Sequence, residues 1–180
     1  MTNADPGFST EWLSILPWFV PSVALALGFG LMVSRRLARR LVVRRTVAVL
    51  LVVSVGAILG ATLTPTGAEA ELGQPLSCDF SKVWPELDQL RRINDESLNV
   101  LLFVPLGTTV ALVRARRPLI VLAGAALVFP VSIEAIQALA PALERGCESG
   151  DVVDNVSGVV AGLAIGSVLR AFLAPGPDVL

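Results

Sequence analysis

Glu134 and Gln137 stand three residues apart in an otherwise apolar run, and Asp151 and Asn155 stand four apart at the start of another. Steps of three and four place side chains on one face of a helix, so each pair acts together. A charge at membrane depth costs at least a few kcal/mol unless it meets a partner or a cavity, so these residues mark either a packing network or a site. Asn99 opens a third apolar run in line with Phe103 and Gly107, and Pro105 is expected to interrupt the hydrogen-bond ladder there. Arg145 and Glu148 lie in the polar stretch between the two acidic runs. Two kinds of chemistry suit this set. Amides and carboxylates hydrogen-bond sugars and peptide groups, while an arginine takes a phosphate or carboxylate. Alternatively, Glu134 and Asp151 serve as acid and base, their pKa values separated by burial.

Composition removes competing chemistries. The chain has no histidine, which excludes a His-centred relay and a His-ligated metal. It contains no Ser-His or Cys-His nucleophile, Asp-rich metal repeat or P-loop, so neither a metal nor a cofactor is expected. The net charge of −1, from 14 basic and 15 acidic residues, argues against a nucleic-acid partner.

These residues must be positioned by helices in a bilayer. The 180 residues are 54% hydrophobic and 16% charged, with mean hydropathy +0.73, too apolar for a soluble domain. Apolar runs at 12–33, 46–67, 97–113, 118–139 and 151–169 predict an all-α, polytopic membrane protein, a single domain over 1–180 with about five transmembrane helices. Asp5 and Glu11 precede the first run and no small-residue cleavage site follows it, so a cleaved signal peptide is not expected. Arginines gather between runs one and two, between runs three and four, and at Arg170. Short cytoplasmic loops keep such residues, which puts the N-terminus outside and the C-terminus in the cytoplasm of a multi-pass plasma-membrane protein. Only Lys82, Arg91, Arg92 and Arg145 then lie outside. Trp12, Trp18 and Trp84 fall near the outer interface, where amphipathic rings anchor.

Several features concern packing. Gly158, Gly162 and Gly166 form a stripe at four-residue steps, which lets helix backbones approach closely, and Gly107 lies on the aligned face of run three. Cys78 and Cys147 fall in outer loops, where a disulfide persists, and are expected to pair. Val83, Trp84, Leu87, Leu90 and Ile93 recur at helical spacing, which predicts a short amphipathic helix in the long outer loop.

The ordered set Asn99-x-x-x-Phe103-x-Pro105-x-Gly107, Glu134-x-x-Gln137, then Arg145 and Asp151-x-x-x-Asn155-x-x-Gly158-x-x-x-Gly162 resembles the signatures of VanZ-like membrane proteins. Thr62-Leu63-Thr64-Pro65 is similar to that family's usual close of the preceding helix. The resemblance covers about 46–170, preceded by one extra helix at 12–33. Two departures bear on the site's shape: Glu148 stands where the family often has an Asp, and Asp154 is an additional acid beside Asn155. The resemblance implies a polytopic bacterial envelope protein, the founding members being associated with low-level resistance to teicoplanin-type glycopeptides. Three classes remain open. The first is a binder of a membrane lipid, lipid-linked wall precursor or lipophilic glycopeptide; the second is an intramembrane lipid-modifying enzyme; the third is a small transporter, for which five spans lack duplicated halves. Homo-oligomerisation is left open.

Overall fold

The computed structural model describes residues 18–64, 78–79, 81–82, 84, 95–140, 143 and 147–173. Five helices alternate in direction: α1 (Phe19–Leu41), α2 (Arg45–Thr62), α3 (Asp95–Ala111), α4 (Arg116–Leu139) and α5 (Ser149–Phe172). Four of them, all but α3, are long and apolar enough to cross a membrane. At 17 residues α3 rises about 26 Å, just short of a full hydrocarbon core. The alternation gives the bundle two chemically distinct ends. One gathers the acidic residues near the start of α3, the end of α4 and the start of α5; the other gathers the arginines.

The first helix departs from its expected bounds, running to Leu41 rather than stopping at Val33. Arg35, Arg36, Arg39 and Arg40 therefore sit on its last turns and not in a loop. All four are exposed, and long cationic side chains are tolerated at a span's end, so a charge count ends the span too early. The connection to α2 shrinks to Val42, Val43 and Arg44, and Val42 turns the chain in the left-handed region at φ 56°. Helix α3 likewise runs through Pro105 as one helix, so the expected interruption does not divide it. The hydroxyl of Thr109 donates to the Pro105 and Leu106 carbonyls, both at 2.9 Å.

The closest helix pair is α3 with α5, and glycine is the reason. A Cβ at Gly158, Gly162 or Gly166 would fall on the carbonyl oxygens of Val100, Val104 and Thr108, and one at Gly107 on that of Val159. Helices α1 and α2 form a second tight pair through Gly56, against Ala26, and Gly60, against Ser22, contacts that the glycine stripe on run five did not foreshadow. Helix α2 packs on α3, and α4 packs on both α3 and α5. Phe103, Ile58, Ile133, Val110 and Val159 are fully buried where they meet, and the Phe103 and Phe129 rings lie 6.3 Å apart at 58°. Outward positions stay apolar, with Leu25, Met32, Leu101 and Val121 exposed, as a hydrocarbon solvent requires. Between the α1–α2 hairpin and α4 runs an open apolar cleft of about 630 Å³, lined by Phe29, Val55, Leu59, Leu106 and Phe129 among others.

A short parallel pairing, absent from the sequence-based expectation, joins β1 (Cys78–Asp79) to β2 (Cys147–Glu148), with Cys78 opposite Cys147. The expected amphipathic helix falls outside the described residues apart from Trp84, which is exposed.

Candidate functional site

The site lies at the acidic end of the bundle and is built from α3, α4, α5 and the segment before α3. Asn99 of α3 donates through Nδ2 to Asp151 Oδ1 of α5 at 2.9 Å, directly above the glycine contact that sets the spacing of these helices. Gln137 of α4 donates through Nε2 to the Thr62 carbonyl at 2.8 Å, so it accepts nothing from its helical neighbours but ties α4 to the end of α2. Glu134, one turn earlier, accepts the backbone N–H of Glu148 through Oε2 at 3.2 Å. Glu134, Gln137 and Asn155 are all buried. Of the residues expected to converge, Asn99 and Asp151 are joined directly, Glu134 reaches the residue before α5, and Gln137 turns instead to α2. Glu134 and Asp151 hold different partners within it. Arg145 lies outside the described residues.

Lys82, Glu96 and Asp154 complete the arrangement, and none was singled out from the sequence as a site residue. Lys82 Nζ lies 2.9 Å from Glu96 Oε1 and 2.9 Å from Asp154 Oδ2. Asp154 is 3% exposed, so its charge depends on this partner. The Ser149 hydroxyl donates to the Lys82 carbonyl at 2.7 Å, and a Cβ on Gly150 would press on Lys82 Cδ at 3.2 Å. Gly150 therefore leaves room for the lysine stem. One signal was available in the sequence: Lys82 is the single lysine beside 13 arginines. Its ammonium, a compact point charge on a flexible stem, reaches both carboxylates at once.

A cavity of about 330 Å³ opens here between Lys82, Glu96, Glu148, Asp151 and Asp154, one ammonium facing four carboxylates. Two further acceptors are unused: Gln137 Oε1 and Asn155 Oδ1 are buried with no hydrogen-bond partner among the described residues. Buried acceptors are rarely left so. Among the described residues, then, the lining of this cavity carries more acceptors than donors. No group of three or more potential metal-ligating side chains occurs among the described residues.

Fold and site together define a multi-pass helical membrane protein with a polar, acceptor-lined site at one end of its bundle. The sequence profile described as VanZ/LLP1 matches residues 62–170, more than half of the chain, and the protein belongs to that family. The chain matched no curated protein and no solved structure.

Proposed function

We propose that this protein binds an amphiphile with a donor-rich head group, such as a lipid-linked wall precursor or a lipophilic glycopeptide, at the outer face of the plasma membrane. The observation that carries the reading is the cavity lined by carboxylates at this end of the bundle, accompanied by buried acceptors on α4 and α5, Gln137 Oε1 and Asn155 Oδ1, that have no partner among the described residues. Sugar hydroxyls, amines and peptide N–H groups satisfy such acceptors. The apolar cleft between the α1–α2 hairpin and α4 is of a size and lining that accept a hydrocarbon tail. Arg145 adds a cation for a phosphate or carboxylate of the same ligand. A disulfide between Cys78 and Cys147 belongs to this reading: facing positions on paired strands lie within the Cα separation that a disulfide spans. In the cell, such binding contributes to envelope integrity or to tolerance of teicoplanin-type antibiotics.

The test is capture of the protein from native membranes followed by mass spectrometry of co-purifying lipids. A head group enriched over bulk lipid, and lost in Glu134→Gln and Asp151→Asn at unchanged protein levels, supports the proposal. Enrichment that survives both isosteres, or falls only with the amount of protein, makes the cluster structural. Turnover of the enriched lipid on incubation would reassign Glu134 and Asp151 to acid–base catalysis.

A further inference from the structure

The arginine end holds a second polar feature, at the opposite end of the bundle from the proposed head-group site. Six arginines come from the end of α1, its turn and the start of α2; Arg114, Arg116 and Arg117 surround the α3–α4 turn, and Arg170 comes from α5. Among the described residues this end carries no Asp or Glu, and none of its arginines pairs with a carboxylate. What they do touch is weakly polar. Arg45 reaches the Ser34 hydroxyl at 3.3 Å, Arg39 Nε the Arg35 carbonyl at 3.3 Å, and Arg170 Nη1 the Val113 carbonyl at 3.3 Å.

Sorting of arginine to one side of a membrane requires only that the residues be there, in any arrangement. Here Arg39 and Arg44 of the α1–α2 hairpin, Arg114 of the α3–α4 turn and Arg170 of α5, three separate segments of chain, converge on one cavity of about 830 Å³. Apart from Thr46 its remaining walls are apolar, including Val43, Val47 and Leu112. An adjoining cavity of about 590 Å³ shares Arg39 and Val43 and adds Arg35 and Arg45. Guanidinium groups without acidic partners, set over apolar walls at the level where spans end, match a phosphate ester attached to hydrocarbon better than a soluble anion. The planar donors take phosphate oxygens two at a time, and the valine and leucine side chains meet the glycerol and first methylenes.

We propose that this cavity binds the phosphate-bearing head group of an anionic membrane lipid, with Arg39, Arg114 and Arg170 as its principal contacts. The full-length protein in neutral detergent, stripped of lipid, is titrated with phosphatidylglycerol, phosphatidylcholine or inorganic phosphate. Native mass spectrometry reads retained lipid, and thermal unfolding reads stabilisation. Phosphatidylglycerol should be retained in preference to phosphatidylcholine, with each Arg→Gln change at 39, 114 or 170 weakening it by about fivefold. Arg116→Gln with Arg117→Gln, which removes two charges outside the cavity, should leave retention within twofold. Equal retention of the two lipids, equal loss in the control pair, or stabilisation by inorganic phosphate matching that by phosphatidylglycerol would each overturn the proposal. If the Arg39→Gln or Arg170→Gln protein does not fold, Arg114→Gln alone, on an exposed turn, decides the same comparison.

Discussion

Lys82 neutralises two carboxylates from two helices, and one of them, Asp154, has almost no other access to solvent. Its side chain keeps 4% of its surface and that of Lys82 18%. Removing the lysine alone takes a charged partner from a buried carboxylate, so Lys82→Ala should lower stability by about 3 kcal/mol, and adding Asp154→Asn should restore most of that. Thermal unfolding of the wild type and the two variants in detergent measures it; equal melting temperatures for Lys82→Ala and wild type would show the pair to be idle. Desolvation lowers the pKa of the Lys82 ammonium, but hydrogen bonds and charge from Asp154 and Glu96 outweigh it and hold it above 10.5. A pKa raised in the folded state stabilises fully below the unfolded value and is lost as pH rises through the folded one. The melting temperature should therefore keep the full contribution of this group up to about pH 10, then show a decline that Lys82→Ala lacks. At this scale the polar residues inside apolar runs were legible, because a carboxylate or amide stands out there. Lys82 and Glu96 were not, since a charge in a loop or on a first helical turn is ordinary, and the Lys82–Asp154 pair spans 72 positions.

Helix contacts depend on single atoms. A leucine at Gly162 would place its Cβ on the Val104 carbonyl and its branches through α3, so Gly162→Leu should sharply reduce the amount of folded protein recovered from membranes. An equal yield would mean that α3 and α5 do not pack here as described. Val42 offers the opposite experiment. A β-branched residue at φ 56° carries strain of about 1–2 kcal/mol, which glycine lacks, so Val42→Gly should raise the melting temperature. The glycine stripe on α5 was readable as a period of four, whereas Gly56 and Gly60 sit in an unbroken apolar run where glycine draws no notice. Span limits were legible to within a turn or so, except at the end of α1, where arginines on the helix itself imitate a loop.

For the whole molecule, the alternation of helices and the separation of acidic from basic ends make one decisive expectation. A reporter fused after Leu180 should be active in the cytoplasm, and a cysteine introduced in 67–73 should react with an impermeant reagent on intact cells. The reverse pattern would invert the orientation and move the acceptor-lined site inside. Non-reducing peptide mapping should find Cys78 joined to Cys147; free thiols on both after oxidising purification would leave the β1–β2 pairing held by backbone alone. The number of helices was legible because apolar length is a one-dimensional signal. Which helices touch was less so, being decided by contacts between distant segments.

That remoteness sets an order of events during synthesis. Among the described helices the closest partner of α3 is α5, which is synthesised after it with α4 made in between. Until α5 arrives, Asn99 has no Asp151, Lys82 has no Asp154, β1 has no β2, and the glycine-contacting face of α3 looks onto lipid. A nascent chain halted before Ser149 is therefore an assembly of spans with no finished polar end, and a membrane protease can tell it from the complete protein by its unsatisfied surface alone.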